Sequence, residues 1–435
     1  MKRSASLACW VVCMLTVGCG AVPDGSARQS SADTRQPERG GPGRAPVRPG
    51  IDALLRDSLA LVRGKRVGLV TNQTGITTVS SAAGADSTVT TVELLHARAD
   101  LDLVALYSPE HGLSGEVNAG ERVPTGRHEG TGLPIYSLYG ATNEPLPEML
   151  EGVDVLLFDI QDVGARFYTY VWTMALSLRA AGAAGIPFVV LDRPNPIGGA
   201  HVQGPVLDTA FASFVGLHPV PMRHGMTVGE VARWLVGERG IRARLHVVPV
   251  DGWAREAWFD ETGLAWVPPS PNMPSLESAA HYPGTCLFEG TLLSVGRGTD
   301  LPFQWVGAPW LDGAVLAERL NRYGLAGVHF EPATFTPRRP GDAKWADTEV
   351  HGIRLVLTDR AAYDPTRAAV AALIEARAMA GSEWRWNVAH FDRLAGTDRL
   401  RRMIDGGRSL DEITASWSAD LEAFGTVRER YLIYR

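Results

Sequence analysis

Four short apolar runs, each emptying into a polar loop, constrain this chain more than any other feature. Arg66 to Val70 (RVGLV) runs into Thr71-Asn72-Gln73-Thr74-Gly75, and Leu101 to Tyr107 (LDLVALY) runs into Ser108-Pro109-Glu110-His111-Gly112. Val153 to Phe158 (VDVLLF) leads to Asp159-Ile160-Gln161-Asp162-Val163-Gly164, and Pro187 to Leu191 (PFVVL) leads to Asp192-Arg193-Pro194-Asn195-Pro196. Apolar runs this short, bounded by turn formers, read as strands buried on both faces. Between them, Val89 to Arg98, Glu144 to Glu151 and Tyr170 to Ala184 have helix-forming composition. The alternation predicts an α/β fold with a Rossmann-like, doubly wound parallel sheet. Such sheets bind ligands beyond the carboxyl ends of their strands, so the four polar loops describe one site.

The flanking regions differ in character. Lys2 and Arg3, an apolar stretch from Leu7 to Val17 and then Gly18-Cys19 read as an export signal. Thr16-Val17-Gly18-Cys19 is similar to a bacterial lipobox, with Cys19 as the lipidated residue, although Thr16 departs from the usual aliphatic choice; plain secretion is the alternative. Residues 20–50 are rich in Gly, Pro, Ser, Arg and Asp without apolar periodicity, the composition of a flexible tether. Residues 51–270 form the Rossmann-like domain. Beyond the Pro-rich stretch from Val267 to Pro274, residues 271–435 read as a smaller α+β domain. Its strands are expected near 325–334 and 349–358, and its helices near 312–323, 365–380 and 409–422. Once the signal and Cys19 are set aside, the remaining cysteine, Cys286, permits no disulfide framework and reads as a buried small apolar side chain.

Composition and motifs exclude several functions. A net charge of -6 gives no basic field for nucleic acid. The first strand-loop is not G-x-G-x-x-G, and no phosphate-binding G-x-x-x-x-G-K-[ST], zinc-binding H-E-x-x-H or G-x-S-x-G nucleophile elbow occurs. No metal or organic cofactor is called for. Carboxylates, amides, Arg and Tyr remain, and twelve Trp residues suit sugar stacking as well as ordinary packing.

Glycoside hydrolysis needs an acid to protonate the leaving oxygen, and usually a second carboxylate to attack or to activate water. Glu110 is the candidate acid, because it follows a buried strand where desolvation favours a protonated carboxyl. Helix capping or an Arg pair is the structural alternative. Asp159, nearest its strand end, is the preferred second catalytic group, with Asp162, Arg166 and Tyr168 close behind it in sequence. His111 is suited to orienting a carboxylate or binding hydroxyls, and Asn72 and Gln73 offer uncharged donors and acceptors for hydroxyl and acetamido groups.

Taken together, Gly68 to Gly75, Ser108-Pro109-Glu110-His111-Gly112, Leu133 to Gly140 and Phe158 to Tyr170 resemble signatures of the exo-β-N-acetylmuramidase (NamZ) family. So do Leu191 to Pro196, Arg223 to Thr227, Ser270 to Pro274, and Glu289-Gly290-Thr291 through Gly296-Arg297-Gly298-Thr299. The resemblance implies exo-acting release of β-linked N-acetylmuramic acid from the non-reducing end of peptidoglycan fragments such as MurNAc-GlcNAc. It implies a cleft between two domains, Glu110 as catalytic acid, and Asn195, Glu289 and Arg297 among the substrate contacts. Thr291-Leu292-Leu293 departs from the Asn-containing stretch expected there. N-Acetylmuramic acid carries a lactyl carboxylate, which a planar guanidinium reads well, and Arg193, Arg166 and Arg297 are the candidates. The competing expectations are a non-catalytic muropeptide-binding surface lipoprotein and an esterase or amidase acting on the wall.

Overall fold

The computed structural model describes residues 46–80 and 86–435. The signal segment 1–19, including Cys19, lies outside the described residues, as does most of the 20–50 stretch. Within residues 46–50, the Arg48 amide donates to the Asp251 carbonyl (3.0 Å) and Gly50 opens helix α1 (Gly50–Asp57).

From there the chain runs through β1 (Arg66–Thr71), a hairpin of β2 (Ile76–Ser80) and β3 (Asp86–Thr90), α2 (Thr91–His96), β4 (Asp102–Ser108), β5 (Gly126–Arg127), β6 (Pro134–Ser137) and β7 (Val155–Asp159). Next come α3 (Tyr170–Ala184), β8 (Phe188–Leu191), a second hairpin of β9 (Gln203–Val206) and β10 (Pro221–Arg223), α4 (Val228–Glu238) and β11 (Leu245–Val248). Seven strands form one sheet in the order β11-β8-β7-β1-β4-β6-β5. Every neighbouring pair is parallel except β5 with β6. The chain builds outward from β1 to β6 on one side, then returns to build from β7 to β11 on the other, which is the doubly wound topology with its switch point beside β1.

Alternation along the central strands explains why both faces are covered. Leu69, Leu157 and Val189 meet Ile51 and Leu54 of α1 and Leu95 of α2, whereas Val70, Phe158 and Val190 meet Trp172 and Leu178 of α3 and Trp234 of α4. Thr71 lies opposite Asp159, and Phe158 opposite Val190, so the carboxyl ends of β1, β7 and β8 are level and their loops share one edge.

Two helix expectations change in this region. Glu144 to Glu151 holds only a 3-10 turn over Pro147–Met149, because Pro145 and Pro147 deprive a helix of donors. Val89 and Thr90 belong to β3, and α2 begins at Thr91 behind a capping box between Thr90 and Glu93.

The later part comprises α5 (Leu276–Thr285), β12 (Trp305–Ala308), α6 (Gly313–Asn321), β13 (Val328–Phe335), β14 (Val350–Leu357), α7 (Pro365–Ala380), α8 (Val388–Ala395), α9 (Arg399–Asp405), α10 (Leu410–Ala415) and α11 (Ser418–Arg428). The helix expected at 409–422 is thus two helices. The antiparallel sheet β12-β14-β13 packs Val306, Phe330 and Ile353 against Leu316 and Leu320 of α6 and Leu373 of α7. The chain then returns to the first sheet, where the Tyr434 hydroxyl donates to Asp192 Oδ2 (2.6 Å) just past β8.

Candidate active site

The loop after β4 makes a sharp left-handed turn, with φ of 71° at His111 and 79° at Gly112. A non-glycine residue in this region is held there by its surroundings, and such positions concentrate at functional sites. His111 is fixed by its Nδ1, which donates to the Val117 carbonyl (2.6 Å). Burial pushes its pKa down despite the neighbouring Glu110 charge, so the ring is neutral and its Nε2 is an acceptor.

Glu110, 8% exposed, precedes this turn. Its Oε2 accepts from the Thr169 hydroxyl (2.6 Å) and its Oε1 from the Gly120 amide (3.0 Å). Thr169 is the N-terminal cap of α3, so the carboxyl is held between the β4 loop and the segment that follows β7. The Tyr139 phenol is pushed up by burial and by the Glu110 carboxylate beside it, and stays protonated.

Glu110 opens onto a cavity of about 420 Å³, within the size range of small-molecule sites. Glu110, His111, Tyr168 and Thr169 line it from the parallel-sheet side; Tyr282, Glu289, Arg297 and Asp342 line it from the later part, together with His390 and Arg393 of α8. A larger cavity of about 680 Å³, beside Trp234 and Phe424, contains none of the residues expected from the sequence.

Across from Glu110, Arg297 Nε donates to Glu289 Oε1 (2.5 Å), and its guanidinium lies 5.1 Å from the centre of the Phe303 ring. Burial would raise the Glu289 pKa, but the Arg297 and Lys344 charges outweigh it and hold the group below its ordinary value, ionised. The Tyr168 hydroxyl is buried beside Ser270 and Tyr170 but makes no hydrogen bond of good geometry among the described residues. Burial also pushes its pKa up, so it stays a neutral phenol. Cys286 is buried as expected, and burial raises its thiol pKa, leaving it unreactive.

Of the residues singled out in the sequence, Glu110, His111, Tyr168, Glu289 and Arg297 therefore come together. The others do not line this cavity, for identifiable reasons. Asp159, expected as the second catalytic group, is fully buried and bound by Arg193 through both oxygens (2.6 and 3.1 Å) and by the Thr91 hydroxyl. That pairing also removes Arg193 as a carboxylate reader. Arg166, fully buried, donates to the carbonyls of Pro205 (2.9 Å), Val220 (3.2 Å) and Leu394 (2.5 Å), and burial lowers its pKa to about 9. It ties α8 to the β9–β10 hairpin and does not line this cavity.

Asn72 closes its own loop by accepting from the Thr74 amide (3.0 Å) and hydroxyl (2.6 Å), and Gln73 donates to the Pro268 carbonyl (2.8 Å). Asn195 bridges the Met226 carbonyl (2.9 Å) and the Ile197 amide (3.2 Å). Asp162 accepts from the Gly164 amide (2.7 Å), its other oxygen is buried without a partner among the described residues, and burial raises its pKa to about 7.

Sequence reasoning missed Thr169, Tyr139, Asp342, His390 and Arg393. Thr169 sits within the quoted Phe158 to Tyr170 stretch and carried a readable signal as a capping residue just before a predicted helix. His390 and Arg393 carried none, because nothing local ties a helix near the end of the chain to the loop after β4.

Comparison with known proteins shows the family to which the chain is related. The family model described as exo-β-N-acetylmuramidase NamZ, N-terminal, matches residues 67–277, and the corresponding C-terminal model matches residues 280–434. The chain is 45% identical over 389 residues to the peptidoglycan β-N-acetylmuramidase NamZ of Bacillus subtilis (strain 168), covering 89% of this chain and 91% of that protein. Two crystal structures of DUF1343 family proteins from Bacteroides fragilis share the fold. One has a TM-score of 0.81 at 34% identity, covering 90% of this chain and 100% of that one; the other has 0.71 at 32%, covering 90% and 99%.

Proposed function

The chain belongs to the NamZ family of exo-β-N-acetylmuramidases, and we propose that it is a glycoside hydrolase releasing β-linked N-acetylmuramic acid from the non-reducing ends of peptidoglycan fragments, with Glu110 as general acid. The observation that carries this reading is the buried Glu110 carboxyl, oriented by Thr169 and Gly120 at the wall of a sugar-sized cavity. An amide N–H can only donate, so Oε1 is fixed as its acceptor, and in the proposed role the proton is delivered from Oε2. The Thr169 hydroxyl donates or accepts as needed, and so holds the group before and after transfer. Proton delivery to the glycosidic oxygen lets the C1–O bond break as oxocarbenium-like charge develops on the N-acetylmuramic acid ring; the leaving sugar departs with its hydroxyl, and water adds to C1, its lost proton restoring the acid overall. Asp159 is unavailable to attack, and the carboxylates that share the cavity with Glu110 are Glu289 and Asp342.

The N-terminal segment supports a further reading as an exported lipoprotein acylated at Cys19, facing the periplasm or the cell surface. An acyl mass on a mature protein beginning at Cys19 tests this; an unacylated mature chain with another first residue contradicts it. For the activity, incubation with β-linked MurNAc-GlcNAc should release free N-acetylmuramic acid. Saturable binding without turnover by folded protein would instead favour a muropeptide-binding protein.

A further inference from the structure

The cavity contains two guanidinium groups in opposite circumstances. Arg297 is spoken for: Glu289 holds its Nε, and Phe303 lies under its plane. Arg393, on the last turn of α8, lines the same cavity with an exposed side chain, and among the described residues it makes no hydrogen bond or ion pair. His390 lies one turn earlier, so the pair shares the helix face turned to the cavity.

The position of that helix is fixed from both sides. Asp392 is held by Arg401 in a two-pronged contact (2.8 and 2.7 Å), and the Leu394 carbonyl accepts from the buried Arg166 (2.5 Å). An arginine whose helix is anchored while its own head is left unpaired is available to an anionic ligand without first breaking an ion pair. With Glu110, Glu289 and Asp342 on the same walls, an anionic sugar needs a cation not already neutralised by a neighbour.

We propose that Arg393 is the specificity-determining residue that binds the lactyl carboxylate of N-acetylmuramic acid, taking the role expected of Arg193, Arg166 or Arg297. The assignment rests on the reading of this cavity as the sugar site. A planar fork facing a carboxylate makes two parallel charge-assisted hydrogen bonds, and N-acetylglucosamine, lacking the lactyl ether, offers nothing to receive them.

Calorimetric titration of N-acetylmuramic acid and N-acetylglucosamine into wild type, Arg393→Ala and Arg393→Lys, alongside turnover of MurNAc-GlcNAc, tests the proposal. Arg393→Ala should weaken N-acetylmuramic acid binding about 10- to 100-fold, leave N-acetylglucosamine binding unchanged, and raise KM more than it lowers kcat. Arg393→Lys should recover part of the loss. Because Arg393 is exposed and unpaired, both variants should melt with the wild type. Wild-type affinity for N-acetylmuramic acid in Arg393→Ala overturns the proposal while leaving the glycosidase reading intact. Arg393-dependent binding without turnover supports the proposal and contradicts the glycosidase reading. Absence of both N-acetylmuramic acid binding and MurNAc-GlcNAc turnover by folded wild type overturns both.

Discussion

Arg193 grips Asp159 with two nitrogens across the carboxyl ends of neighbouring strands β7 and β8, and both side chains are buried. An ion pair of this kind costs more to break than it contributes when made, because the surviving partner is left charged in a low-dielectric site. Arg193→Ala should therefore lower unfolding stability by about 3–5 kcal/mol, read from chemical denaturation. KM of the remaining folded enzyme should stay near the wild-type value. A large KM increase with unchanged stability would return Arg193 to the substrate site.

Thr169 touches the proposed acid and has no comparable structural task. Thr169→Val keeps the shape of the side chain but removes the hydrogen bond to Glu110 Oε2. Steady-state kinetics should show kcat lowered by about tenfold, the equivalent of one hydrogen bond, with KM little changed.

Tyr168 gives the converse test. Its hydroxyl is buried yet makes no hydrogen bond of good geometry among the described residues, so Tyr168→Phe should leave stability within about 0.5 kcal/mol of wild type. If substrate supplies the missing partner, KM rises severalfold in the same variant. A fall in melting temperature with unchanged KM would show that the hydroxyl serves the fold instead.

Asp162 predicts a pH dependence of stability. Burial raises its folded pKa from 3.8 to about 7, so the folded chain holds this proton more tightly than the unfolded chain does. Stability contributed by the protonated group is then full below about pH 4 and is lost as pH rises towards 7. Asp162→Asn should lose less stability than wild type between pH 5 and pH 8 in denaturant titrations. Equal losses in the two proteins would contradict the assignment.

Much of the first sheet was legible because burial on both faces leaves a continuous apolar run, and the loop after each run then marks a strand's carboxyl end. The same logic located Glu110, His111 and Tyr168. It failed for Asp159 and Arg193 because a buried ion pair and a catalytic pair look alike in sequence; only the adjacency of β7 and β8 brings the two side chains together. Arg166 was misread for a related reason, since its partners are backbone carbonyls from β9, the segment before β10 and α8, which no residue pattern specifies. The α8 wall of the cavity was invisible for want of any local signal linking it to a loop some 280 residues earlier.

The most direct test of the central claim is turnover of β-linked MurNAc-GlcNAc by Glu110→Gln. Glutamine keeps an oxygen for the Gly120 amide and a polar group for Thr169, but has no acidic proton to transfer to a glycosidic oxygen. The account predicts kcat lowered by about 10²- to 10⁴-fold, with substrate binding and melting temperature preserved. Turnover within tenfold of wild type by the folded variant would contradict Glu110 as the acid.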